Sequence, residues 1–260
     1  MIENQFLEAA LRAQEQAARI GHPYTPPDPL AQYGRGKDLY DCTVCDNTTQ
    51  LPYIDENGNV QCRVCECLER RNNLYQLKKD GLLGVVQRCT FENYETPTQK
   101  HEEVKAKFLA FVEDERKPWL FISGRSRSGK THLCSAAFAS LIEHGRGRYM
   151  KWMRETQLLK ALQFEEPKEY DALLRPLLNT PLLYIDDLLV NAVSAADMKL
   201  AYVIIDARRD GKLQTIISTE RSLQEIGEMQ DGGRLANRIA EMSRSYILHS
   251  PDMNWGFQCE

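Results

Sequence analysis

From residue 118 onward, short apolar runs alternate with longer amphipathic stretches. The runs at 118–123, 148–153, 181–186, 213–218 and 245–249 are rich in aromatic and branched residues, and each predicts a strand. Between them, residues 130–143, 155–178, 194–209 and 234–242 place apolar side chains at helical spacing. Gly145 is positioned to end the first of these helices, and Ser194 with Asp197 has the spacing of a capping pair for a later one. Strand and helix in regular alternation predict an α/β fold on a mainly parallel sheet.

Upstream the pattern changes. Residues 3–19 read as a helix with Phe6, Leu7, Ala10, Leu11, Ala13 and Ala17 on one side, stopped by Gly21, His22 and Pro23. Such a helix can pack on the next domain or serve as a handle for a partner. Pro23 to Pro29 reads as an extended linker. A cysteine-dense module occupies 40–70, and a helix at 71–80 is broken by Gly81 and Gly84. The segment Thr90-Phe91-Glu92-Asn93-Tyr94 and a helix rich in Lys and Glu, at about 98–115, lead into the α/β region. The expected divisions are a helix and linker (1–40), a cysteine module (41–85) and an α/β domain (86–260).

The chain has 260 residues, 42% hydrophobic and 27% charged, with a net charge of −4, so bulk positive charge does not drive it onto nucleic acid. A local basic surface is still allowed. No apolar run reaches membrane-spanning length, and the acidic N-terminus lacks the layout of a signal peptide, so a cytoplasmic protein without membrane contact is expected. In that compartment the eight cysteines read as metal ligands or buried thiols rather than disulfides.

Gly124-Arg125-Ser126-Arg127-Ser128-Gly129-Lys130-Thr131 fits the phosphate-cradling pattern Gly-x-x-x-x-Gly-Lys-Ser/Thr, between a predicted strand and a predicted helix that opens with His132. At average residue frequencies that pattern arises in roughly one chain in a hundred of this length, and the strand–helix context makes it more specific. Glycines let successive N–H groups turn toward phosphate oxygens, and the helix N-terminus adds partial positive charge. Lys130 can reach the β- and γ-phosphates of ATP or ADP, and the Thr131 hydroxyl can ligate Mg²⁺. The apolar run Leu182 to Ile185 ends in two carboxylates, Asp186 and Asp187. Asp186 is placed to hold Mg²⁺, directly or through water, and Asp187 to polarise the attacking water. The candidate nucleotide contacts are therefore residues 124–132 together with Asp186. Ser218-Thr219-Glu220 ends a further strand, where a polar group could sense the γ-phosphate. Arg234 and Arg238 share one face of an amphipathic helix and read either as solvated charges or as arginines offered to a neighbouring subunit.

Cys42-Thr43-Val44-Cys45 is followed, after sixteen intervening residues, by Cys62-Arg63-Val64-Cys65-Glu66-Cys67. Two close cysteine pairs at this separation match a four-thiolate zinc site, and the intervening Asp55 to Asn59 is a turn signal that suits a ribbon hairpin. Cys42, Cys45 and Cys65 belong to either allocation, and the fourth ligand is Cys67 or Cys62. Iron–sulfur ligation and metal-free thiols are the rival readings. Cys89, Cys134 and Cys259 stand alone as buried or incidental thiols. Arg146 to Arg154 interleaves basic and aromatic residues, which suits either single-stranded DNA or an ordinary strand with alternating faces.

Taken in order, the Cys-x-x-Cys pair, Cys65-Glu66-Cys67, Thr90 to Tyr94, Gly129-Lys130-Thr131-His132-Leu133, Tyr184 to Asp187, Thr215 to Glu220, Asn237-Arg238-Ile239 and Asp252 to Trp255 resemble the DnaC-like helicase loaders of the AAA+ superfamily. The resemblance is to the phage and bacterial versions with an N-terminal zinc module, and it runs from about Asp41 to Trp255. It implies an AAA+ ATPase domain, a zinc site closed by Cys65 and Cys67, Ser218 or Thr219 as a γ-phosphate sensor, and Arg238 as a finger supplied across a subunit interface. It also implies that the N-terminal region grips a hexameric replicative DNA helicase, that the ATPase domain contacts single-stranded DNA, and that subunits self-associate. Two departures stand out. Asp187 occupies a position where many AAA+ enzymes carry glutamate, which implies slow or geometrically altered hydrolysis, and Ser-Thr-Glu replaces a common asparagine. The rival functions are an IstB-like transposition ATPase, whose relatives more often lack the cysteines, a non-hydrolysing nucleotide-bound adaptor, and a small-molecule P-loop kinase.

Overall fold

The computed structural model describes residues 41–143 and 145–251, so the expected helix at 3–19, its linker, Cys259 and the segment Asp252 to Trp255 lie outside the described residues. The chain divides into two compact units at Tyr75 and Gln76.

In the first unit, β1 (Gln50–Ile54) pairs antiparallel with β2 (Val60–Val64), with Pro52 opposite Cys62. The turn between them is closed by its own side chain. Asp55 accepts from the amides of Asn57 and Asn59 at 2.9 and 2.8 Å, an Asx turn that fixes where the hairpin reverses. Those amides, Asn59's first, hold the Asp55 carboxyl below its usual range. Helix α1 (Cys67–Asp80) begins in this unit and runs into the next.

The second unit opens with α2 (Leu83–Arg88) and α3 (Gln99–Glu113). It continues β3 (Leu120–Ser123), α4 (Lys130–Ile142), β4 (Gly147–Lys151), α5 (Trp152–Glu165), α6 (Pro167–Asn179) and β5 (Leu182–Asp186). Then come α7 (Ala195–Asp210), β6 (Gln214–Ser218), α8 (Leu223–Glu228), α9 (Gly232–Met242) and β7 (Ile247–His249). The five strands form one parallel sheet in the order β4-β5-β6-β3-β7. Strands β3, β5 and β6 are buried along their whole length, which is why β3 and β5 read as apolar runs up to a polar last residue rather than as alternating ones. The α/β architecture expected from the alternation is the one observed. No helix among the described residues is long and apolar enough to cross a membrane.

Three local expectations are corrected. β4 ends at Lys151, because Lys151 is the extended N-cap of α5 and Trp152 is already helical. The stretch 155–178 is two helices: Glu166 precedes Pro167, is pushed out of the α region, and leaves the proline at the start of α6. The helix at 130–143 stops at Ile142 with Glu143 as a right-handed cap, so Gly145 does not serve as its terminator.

A buried cation ties α7 to its neighbours. Arg208, fully buried, donates to the carbonyls of Leu177, Thr180 and Gln214 and to the Thr215 hydroxyl, at 2.6–3.0 Å. Burial among neutral acceptors pulls its pKa down to about 9.

Candidate nucleotide site and cysteine cluster

The sheet register decides what meets at the carboxyl edge. Ile122 of β3 lies opposite Ser218 of β6, Ile185 of β5 opposite Ile217, and Ser123 opposite His249 of β7. The loop after β3, the acidic end of β5 and the polar end of β6 therefore emerge side by side. Ligands of open parallel sheets bind at this edge.

The loop from Gly124 to Gly129 turns through two glycines with positive φ, 147° and 84°, and Gly129 becomes the N-cap of α4. No side chain caps α4, so the amides of its first turn are offered to an anion. Arg125, Ser126 and Arg127 are exposed, Ser128 is buried and Thr131 is exposed. Lys130 is 5% exposed and donates to the carbonyls of Gly124 and Arg125 at 2.8 and 2.7 Å. Burial lowers its pKa, opposed by the negative charges of Glu220, Asp187 and Asp186. The ammonium thus bridges the start of its own loop.

Asp186 is buried inside a cage of hydroxyls. Tyr149 donates to Oδ2 at 3.0 Å, while Tyr184 and Ser218 donate to Oδ1 at 2.8 and 2.7 Å. A carboxylate offers about four lone-pair sites, so roughly one remains for a further donor such as a metal-bound water. Asp187 turns away from the strand with φ 60°, and its amide donates to the Ser218 hydroxyl at 3.3 Å. Burial, then the Asp186 charge, raise its pKa against the pull of Lys130 and Lys151. Of the two sensor candidates, Ser218 faces the carboxylates, whereas the Thr219 hydroxyl is buried and donates to Leu188 O at 2.7 Å.

Two site candidates are engaged elsewhere. His132 Nε2 is 2.8 Å from Thr90 O, and its ring meets Tyr94 edge-on at 5.2 Å, so this side chain fastens the Thr90–Tyr94 segment to α4. Arg238 pairs with Asp206 of α7 at 3.0 Å and lies 4.2 Å over the Tyr202 ring. Three contributors escaped the sequence reading. Tyr184 sits two residues before Asp186 on one strand, a period-two signal that puts both on the same face. Tyr149 reaches Asp186 through the pairing of β4 with β5, and Ser250 reaches the loop from the end of β7; neither left a mark in local sequence.

The Arg146–Arg154 stretch is not a stacking surface. Tyr149 and Trp152 are buried, at 8% and 5% exposure, and Arg148 pairs with Asp80 at 3.5 Å. Its alternation is that of an edge strand entering a helix.

In the first unit, the sulfurs of Cys42, Cys45, Cys65 and Cys67 lie within 4.8 Å of one another, all buried. The Cys42–Cys65 and Cys45–Cys67 separations are 3.9 and 3.4 Å. Four Zn–S bonds of about 2.3 Å at tetrahedral angles require sulfur separations of ~3.8 Å, so the donor set fits zinc. Cys62 is exposed and sits on β2, opposite Pro52, so the fourth place goes to Cys67. The knuckle holding the first pair is fixed by hydrogen bonds. Asn47 accepts from Cys42 N at 3.0 Å and from Arg71, and Thr49 N donates to Cys45 Sγ at 3.3 Å. Burial pushes the Cys42 thiol up, but amide donors from Cys45 and Val44 outweigh it and bring it to about 7. Burial and neighbouring thiols push Cys67 up. Four such groups cannot all ionise unaided, and a dication removes that conflict.

The comparisons with known proteins agree with this architecture. The replicative helicase loader DnaC of Escherichia coli (strain K12) is 25% identical over 212 residues, covering 79% of this chain and 83% of the relative. The crystal structure of the DnaC helicase loader matches with a TM-score of 0.54 at 23% identity, covering 64% of this chain and 98% of that one. The crystal structure of DnaI matches with a TM-score of 0.54 at 18% identity, covering 65% and 91%. The model of the family described as IstB-like ATP binding protein matches residues 69–248, well over half of the chain, and with the parallel sheet and its phosphate loop in place the chain belongs to that family.

Proposed function

We propose that this protein is an ATP-dependent loader of a replicative DNA helicase, with a zinc-bearing N-terminal module and an AAA+ ATPase domain. The observation that carries the reading is the similarity to DnaC across 79% of the chain, a span larger than the second unit alone. Residues 124–131 would hold the phosphates through amides, and the Lys130 ammonium would exchange its two loop carbonyls for β- and γ-phosphate oxygens. Thr131 and Asp186 would hold magnesium, whose charge offsets that of the phosphoryl oxygens. Asp186 keeps its orientation through Tyr149, Tyr184 and Ser218, and Asp187, its proton affinity raised by burial, would orient and deprotonate the attacking water. Arg238 would act on a neighbouring subunit's nucleotide, leaving its Asp206 partner to do so. Cys42, Cys45, Cys65 and Cys67 would hold a structural zinc. The partners are a hexameric helicase gripped by the N-terminal region, single-stranded DNA and further copies of the chain, all in the cytoplasm.

The family description favours a second reading, an ATPase that delivers a transposase to target DNA. Affinity purification of the full chain from its native host separates the two. Recovery of a hexameric helicase supports the loader, and recovery of a transposase without helicase overturns it. Single-turnover hydrolysis with helicase and DNA present tests the catalytic part, and no ATP cleavage would leave an adaptor.

A further inference from the structure

The phosphate loop is strapped from an unexpected direction. Ser250, the residue after β7, donates its amide to Ser123 O at 2.7 Å and its hydroxyl to Ser128 O at 2.6 Å, so it touches both ends of the loop. It is fully buried. The loop makes room for it: a Cβ on Gly124 would stand 3.0 Å from Ser250 O and 3.1 Å from Ser250 Cβ, so Gly124 lacks a side chain where the strap crosses.

A trans peptide fixes the direction of its N–H once its C=O is held, because the two point to opposite sides of one plane. The carbonyl of Ser128 shares its plane with the N–H of Gly129. We infer that Ser250 is a positioning residue for phosphate binding: by drawing the Ser128 carbonyl outward onto its hydroxyl, it turns the Gly129 amide into the loop, toward a β-phosphate oxygen. This rests on the nucleotide-binding reading above and assigns a role within that site to a residue beyond the matched family segment, which ends at residue 248. The amide contact to Ser123 continues the ladder of β3 and β7, so removing the hydroxyl leaves the strand paired.

The test uses the full chain labelled with ¹⁵N-glycine, comparing wild type with Ser250→Ala. ATP and ADP affinities should fall together by about fivefold, the effect of one net hydrogen bond, because both nucleotides carry the β-phosphate. The downfield shift of the Gly129 amide on adding ADP should shrink in parallel, a signature that a purely structural role would not move. Ser250→Cys, similar in size and a weak donor, should fall between the two and serves if the alanine variant does not fold. Unchanged affinities with an unchanged Gly129 shift, in a wild type that binds nucleotide, would overturn the role of Ser250. A wild type that binds neither nucleotide would overturn the nucleotide reading itself.

Discussion

The cysteine cluster and the nucleotide edge are organised by opposite means. The first gathers four donors from Cys42 to Cys67, a short segment holding one hairpin, and its buried thiols crowd together with only part of their charge met by nearby amides. The second gathers Lys130, Asp186, Ser218 and Ser250 across more than a hundred residues, each delivered by a different strand end, and its charges are already met by hydroxyls and carbonyls. A local site can leave its stability to an ion. A distributed site depends on sheet register, so its polar groups need partners inside the fold before any ligand arrives.

The sharpest test of that contrast is metal removal. Chelation should unfold the first unit, since a structural zinc contributes on the order of 10 kcal/mol of folding free energy, while ATP still raises the melting temperature of the remainder. Metal analysis of chelator-free protein should give one zinc per chain, and circular dichroism with nucleotide titration reads the rest. Survival of the hairpin without metal would break the comparison. Next in size, Lys130→Ala should abolish tight ATP binding, as measured by calorimetric titration, and lower ligand-free stability because two loop carbonyls lose their donor. Tyr184→Phe should destabilise the second unit by about 2 kcal/mol in urea unfolding, the cost of removing a buried donor from a charged acceptor. The smallest effect belongs to Cys62→Ser, which should leave zinc content and stability unchanged because that thiol is exposed.

What could be read beforehand follows the same division. The phosphate loop, the acidic strand end and the Cys42–Cys45 pair are contiguous motifs, and their spacing alone carries the chemistry. Spacing alone left Cys62 and Cys67 open; the family resemblance implied Cys67, and the exposed place of Cys62 on the hairpin agrees. The break at Glu166 is written in Pro167, and α8 in the capping spacing of Ser222 and Glu225. Tyr149, by contrast, is joined to Asp186 by the adjacency of β4 and β5, which no local pattern encodes. The basic–aromatic stretch around it stayed open between two readings for the same reason: composition cannot tell a stacking face from one packed in the fold, and the burial of Tyr149 and Trp152 favours the ordinary strand.

The late position of Ser250 also sets a timetable for the growing polypeptide. At ~5–20 residues per second of synthesis, a ribosome finishes Gly129 on the order of ten seconds before it makes the serine that orients it. During that interval the nascent loop has its lysine and glycines but lacks its last brace, so ATP that meets the emerging domain should bind it less tightly than the finished one.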